Sequence, residues 1–213
     1  MRRQIALLGT ILLLAGCQAP QQQRPAWWLV GFTEPAYMKV WVETLDAEDI
    51  QGQLFHRIGA GTAAGGEPKG DAEYARGWLG VGSSVYPAVG ADLPKRLFVR
   101  WQSVAESRTY RTWIEIPEQA RRILRQSTTA LCPDDPHPMP MGGGGRVTLG
   151  LAPGGIVQVW VRDECLRPIK VARAQAEVEP LGPHQGESDG HYYPQSDASK
   201  RYIERWGIPY GSW

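Results

Sequence analysis

The 213-residue chain carries 23 Lys+Arg against 22 Asp+Glu, a formal net charge of +1. That balance excludes the basic excess of a dedicated nucleic-acid binder. With 42% hydrophobic and 21% charged residues, a packed core forms and global disorder is excluded, and the length suits one domain.

The first segment reads as an address. Arg2 and Arg3 form a positive n-region, and Ile5 to Ala15 form an apolar stretch within the roughly 7–15 residues of a signal h-region. The stretch is shorter than the about 20 apolar residues a membrane-spanning helix needs. It ends in Leu14-Ala15-Gly16-Cys17, which resembles the lipobox of bacterial lipoproteins. The resemblance implies that residues 1–16 are a signal peptide, cut before Cys17, and that the cysteine is then lipidated. Acyl chains anchor without spanning, at about 0.8 kcal/mol per buried CH₂. In lipoproteins an Asp after the cysteine retains the protein at the inner membrane. Gln18 stands there, which implies the outer membrane, periplasmic face. Residues 17–26 are then the lipidated cysteine and a polar, Pro-containing tether, and 27–213 a single mainly-β domain. Cleavage removes Arg2 and Arg3, so the mature chain is faintly acidic, and all nine Trp remain.

Residues 27–33 are aromatic and apolar and predict a strand. A second strand follows over 37–45, with Val40 and Val42 inward and Trp41 on the opposite face. A short third strand is expected over 53–58. Residues 59–94 are rich in Gly and Pro and predict a long irregular stretch with one short strand around 77–81. Residues 96–103 put Leu97, Val99 and Trp101 on one face, and 108–116 put Tyr110, Thr112, Ile114 and Ile116 on one face with Trp113 on the other. The short gap between them predicts an antiparallel hairpin. Pro117 precedes a helix over about 118–126, with Glu118 at its positive end and Arg122 and Arg125 at its negative end. Four Pro and four Gly within 132–145 exclude regular structure there. Val147, Leu149 and Leu151 alternate, a Pro153-Gly154-Gly155 turn follows, and 156–161 alternate again, with Trp160 expected to pack inward. One further strand is expected over 168–178. Ser196 predicts the N-cap of a last helix through Trp206, stopped by Gly207 and Pro209. The sum is a mainly β (α+β) chain, an antiparallel sheet or sandwich of about seven to eight strands with two short helices.

Three blocks resemble a family of Gram-negative bacterial lipoproteins, the domain of unknown function 2931. They are Leu93-Pro94-Lys95-Arg96-Leu97-Phe98-Val99-Arg100-Trp101-Gln102-Ser103 with Glu106 and Tyr110; Leu149-Gly150-Leu151-Ala152-Pro153-Gly154-Gly155-Ile156-Val157-Gln158-Val159-Trp160; and Trp206-Gly207-Ile208-Pro209-Tyr210-Gly211-Ser212-Trp213. None is a catalytic signature. Some members resemble immunity lipoproteins encoded beside type VI secretion phospholipase effectors, which implies a secreted effector as partner.

The residues offer little chemistry. Cys132 and Cys165 are the cysteines left after lipidation; an oxidising compartment permits their disulfide, and the alternative is two free thiols too far apart to bond. Asp134, Asp135 and His137 are types that ligate Zn²⁺ or Ca²⁺, but they sit in a Pro-rich stretch without a paired motif, and a solvated loop accounts for them. His184, Asp189 and His191 match no metal spacing. Gly80-Val81-Gly82-Ser83-Ser84 is not a nucleophile elbow. Neither Gly59-Ala60-Gly61 with Gly65 and Gly66, nor Gly142 to Gly145, is a phosphate loop. No catalytic residue, metal or cofactor is expected. Trp41 and Trp113 fall opposite the aliphatic faces, where they form either a binding surface or a second packed layer. The expected function is a lipid-anchored, non-enzymatic binding protein that contacts the membrane through its lipid and has no nucleic-acid partner. The alternative is an envelope structural or glycan-binding lipoprotein.

Overall fold

The computed structural model describes residues 28–69, 76–82, 84–135 and 145–213. Cys17 and its tether, Trp27, Ser83, His137 and the rest of the Pro/Gly run at 136–144 lie outside the described residues. Alternating apolar positions become strands β1 (Trp28–Thr33), β2 (Val40–Asp49), β3 (Leu54–Thr62), β4 (Ser84–Pro87), β5 (Pro94–Ser103), β6 (Arg108–Glu115), β7 (Gly145–Ala152), β8 (Ile156–Arg162), β9 (Pro168–Gln175) and β10 (Glu177–Val178), with helices α1 (Glu118–Ser127) and α2 (Asp197–Trp206). The expectation of seven to eight strands is therefore corrected to ten among the described residues. The extra pieces are short strands that carry no periodic signal of their own.

The strands form two five-stranded sheets, ordered β4-β1-β7-β8-β9 and β10-β6-β5-β2-β3. Their inner faces share one core. Trp28, Val30 and Phe32 of β1 and the valines of β8 meet Val40, Leu45, Val99 and Trp101 of the second sheet. Most pairs are antiparallel, as expected, but β1 runs parallel to β7. The strand expected around 77–81 lies instead at β4, where it closes the edge beside β1. The stretch expected as one strand over 168–178 is two. After β9 the chain changes sheets at Ala176, whose N–H donates to the Gly155 carbonyl at 2.7 Å, and β10 then pairs with β6. A register shift in β2 between Val42 and Leu45 carries the inward phase from Val40 and Val42 to Leu45 and Ala47, which is what one extra bulge residue does.

Pro117 occupies the N-cap position of α1, extended at ψ 156°, and Leu124 on the helix packs into the core. Ser196 caps α2 as expected, its Oγ accepting from the Ser199 N–H at 3.0 Å. Trp101 points into the inter-sheet core and is fully buried. Trp160 is also buried, but not inward: its neighbours Val159 and Val161 take the core face, and Trp160 packs on the outer face of the first sheet under the edge of Trp78, with ring centroids 5.2 Å apart. Gly150 makes that contact fit. A Cβ there would stand 2.4 Å from Trp160 Cζ3 and 2.7 Å from Trp78 Cη2. Gly150→Ala is expected to destabilise by about 1–3 kcal/mol through overpacking and to red-shift tryptophan emission as Trp78 is displaced. An unchanged urea midpoint would contradict this account.

Candidate functional site

The outer face of the second sheet gathers the polar and aromatic residues of β2, β5 and β6, because their apolar alternates are spent on the core. One end of this face is closed. Glu43 Oε2 accepts from Arg100 Nε at 2.8 Å, while Oε1 accepts from Gln102 Nε2 at 3.0 Å and from the His184 N–H at 2.7 Å. Gln102 Oε1 in turn accepts from the Tyr193 N–H at 3.1 Å, and the Tyr193 ring stacks on Trp41 at 4.0 Å. The strap over residues 183–193 is thus fastened onto the sheet and covers Trp41. Of the two tryptophans singled out from sequence, Trp41 is the packed one.

Trp113 is open, with 38% of its surface exposed. Two side chains pack against its ring. The Arg96 guanidinium lies over it, 4.3 Å from the centroid, and Phe98 tilts against it at 5.4 Å. Arg96 is itself fixed, donating from Nε to Glu48 Oε2 at 2.6 Å, and Lys95 donates to the other oxygen at 2.8 Å. Those hydrogen bonds hold the Glu48 carboxyl below its usual range. A shallow groove beside the indole is lined by Phe98, Arg111, Thr112, Gln175 and Glu177. Arg111 spans Glu177 and Glu179 at 2.8 and 3.2 Å, and the hydrogen bond to Glu177 leads in pushing its guanidinium pKa up. The arrangement is a rigid aromatic platform with an arginine on each side, suited to stacking and hydrogen bonding.

The other sequence candidates separate. Cys132 and Cys165 are joined by a disulfide with Cα atoms 4.7 Å apart. Asp134 approaches both sulfurs, but bonded sulfurs offer no thiolate to a metal, and the Asp134 carboxylate pairs with Arg167 at 3.4 Å. His184, Asp189 and His191 serve the turns of the strap. The His184 N–H bonds Glu43, the Asp189 N–H bonds the Gly186 carbonyl, and the His191 N–H bonds the Ser188 carbonyl. The Val81 carbonyl accepts from Arg162 Nη2, and the Gly80 carbonyl lies 3.4 Å from Thr33 Oγ1, which donates to the Ala64 carbonyl at 2.8 Å. Among the described residues no helix is long and apolar enough to cross a membrane.

Two carboxyl groups gain a setting that residue spacing does not reveal. Glu106 Oε1 accepts from Tyr110 at 3.1 Å, from Tyr210 at 2.8 Å and from the Gly154 N–H at 3.1 Å. These residues come from the three separate blocks on which the family resemblance rests, so the blocks converge on one carboxylate. Burial first, and then the Glu106 hydrogen bond, push the Tyr210 phenol up to about 12. Both phenols therefore stay protonated and donate, and the cluster acts as a clasp between the β5–β6 turn, the 153–155 turn and the C-terminal segment. Glu34, which no motif marks, sits beneath the glycines at 65 and 66.

Residues 17–211 match the family model described as Protein of unknown function (DUF2931). No curated protein and no solved structure matches the chain. With the match spanning nearly all of its length, the chain belongs to the DUF2931 family.

Proposed function

We propose that the protein is a non-enzymatic binding lipoprotein, anchored through lipid on Cys17 at the periplasmic face of the outer membrane, and that the Trp113 platform docks a secreted effector protein, a phospholipase delivered by a type VI system. The observation that carries the reading is the exposed indole packed against Arg96 and Phe98. Exposed Trp and Arg held in place before binding lose little entropy on docking and serve as interface anchors. The carboxylates around it support binding rather than catalysis, since Glu43, Glu48, Glu177 and Glu179 are each engaged by arginine.

The test is co-purification of the full chain with the product of the neighbouring effector gene, followed by titration. Trp113→Ala is expected to weaken the complex about 30-fold, the effect of a hot spot worth about 2 kcal/mol, whereas Trp41→Ala leaves affinity unchanged. Equal binding by Trp113→Ala and the parent, or no complex and no protection of cells, would dismiss the reading. The polar flank of the groove, Thr112, Gln175 and Glu177, favours one second reading, in which the indole stacks on an envelope glycan. Peptidoglycan fragments that quench Trp113 fluorescence saturably would support it, and an unchanged spectrum at high ligand would remove it.

The anchor has its own test. Cys17→Ser is expected to abolish incorporation of labelled palmitate and to release the protein from membranes. Continued labelling of that variant would contradict lipidation at Cys17.

A further inference from the structure

Between the loop at 63–66 and the segment at 79–82 lies an open cleft of about 220 Å³. Backbone bonds shape one wall: the Ala64 N–H donates to the Phe32 carbonyl at 2.9 Å, and the Tyr37 N–H to the Gly66 carbonyl at 3.1 Å. Thr33 Oγ1, at the end of β1, donates to the Ala64 carbonyl of that wall at 2.8 Å and stands 3.4 Å from the Gly80 carbonyl of the other. The base is the Glu34 side chain. Its Oε2 accepts from the Val40 N–H at 2.6 Å. Among the described residues nothing donates to Oε1. Gly65 lets the loop lie on this carboxyl, since a Cβ there would fall 2.2 Å from Glu34 Cγ and 2.5 Å from Oε1. Among the described residues nothing lies within 4 Å of a Cβ built at Gly80 or Gly82, and Leu79 stands exposed on the rim.

We propose that this cleft binds a primary ammonium group on an alkyl stem, with Glu34 as counter-ion and Leu79 against the stem. A guanidinium is the poorer fit, because its fork asks for both carboxylate oxygens in the same plane and one is already taken by Val40. A Ca²⁺ ion is poorer still, because it requires about six to eight oxygen ligands. An ammonium is a compact charge that one oxygen can hold, and its methylene stem packs on apolar surface. The charged groups that act on the carboxyl are Lys39 and Glu67, and Glu67 is engaged by the Ser196 hydroxyl. Burial first of all raises the carboxyl to about 8, so at neutral pH most of it carries a proton that a cation must displace. The apparent affinity scales with the ionised fraction. It is therefore expected to rise roughly tenfold from pH 7 to pH 9, where an alkyl ammonium of pKa about 10.4 is still charged. The inference does not depend on the Trp113 platform.

The experiment titrates the purified full chain with Nα-acetyl-lysine amide and with 1,4-diaminobutane, following the backbone amides of Gly65, Gly66 and Gly80 by NMR at pH 7 and pH 9. Saturable shifts that tighten about tenfold with pH, and that vanish in Glu34→Gln, are the expected result. Gly65→Ala, which moves the carboxyl while retaining it, is expected to weaken binding as well. Tighter binding of the lysine probe identifies a protein side chain as the source of the ammonium, and tighter binding of the diamine identifies a free amine. Absence of shifts with both probes at pH 9, pH-independent affinity, or equal binding of Nε-acetyl-lysine would overturn the proposal.

Discussion

Replacing Cys132 and Cys165 by serine is expected to destabilise the protein by about 3–4 kcal/mol. The two cysteines are 33 residues apart in sequence, and cross-linking a loop of that length removes that much chain entropy from the unfolded state. The bond joins the segment after α1 to the turn between β8 and β9, so it fastens the helix that plugs one end of the core. Leu124 of that helix reaches the start of β7, where a Cβ at Gly145 would stand 2.8 Å from Leu124 Cδ2. The turn at Cys165 is held independently, by Asp163 Oδ1 accepting from the N–H groups of Cys165 and Arg167 at 3.0 and 2.8 Å. The loss is therefore expected to fall mainly on global stability rather than on the shape of the turn. Urea unfolding of the parent with and without reductant, beside the double variant, measures it. The reduced parent should match the variant, and coincident midpoints for oxidised parent and variant would refute the assignment.

Glu34→Gln is expected to stabilise the protein at alkaline pH and to change little at pH 4. In the folded chain, burial raises the carboxyl from its ordinary 4.5 to about 8. Between those values the folded state keeps a proton that the unfolded state has released. Stability therefore falls as pH rises from about 4.5 to about 8 and levels off above, where the folded carboxylate is also ionised. Glutamine keeps an acceptor for the Val40 N–H and cannot ionise, so it removes this slope. The expected gain at pH 9 is about 1–3 kcal/mol, smaller than full linkage implies because the cleft admits water. Thermal unfolding of both proteins at pH 4, 7 and 9 tests it. Parallel pH profiles would show that Glu34 ionises normally.

The local devices of the fold were readable because each is a short-range pattern. Ser196 and Pro117 mark their helices by chemistry at single positions. The β7–β8 pair around Pro153-Gly154-Gly155 and the β5–β6 pair follow from alternation joined by a tight turn. Alternation also placed Trp101 inward and Trp113 outward. It failed for Trp160, where an aromatic residue between core valines looked inward but faces out beneath Trp78. Period two says which residues share a face, and it does not say whether the second face is also covered. Trp41 shows the same limit, since its cover, Tyr193, lies far along the chain.

The site was less legible than the fold. The open indole of Trp113 was a candidate from its strand position alone, but the clamp by Arg96 requires β5 and β6 to pair in register, Phe98 opposite Trp113. Glu106 meets Tyr210 across 104 residues of sequence, and Glu34 is buried by a glycine loop arriving after β3. No local rule anticipates either.

By itself, then, the sequence determined the polar/apolar phase of most strands, the two helices with their caps and a near-neutral charge. All of these depend on neighbours within a few residues. Only the tertiary structure decided the partition into two sheets, the parallel β1–β7 pair, the change of sheet at Ala176 and which tryptophan stays open. These choices rest on the closure of long loops against shared burial of apolar faces, and that balance is struck between segments distant in the chain.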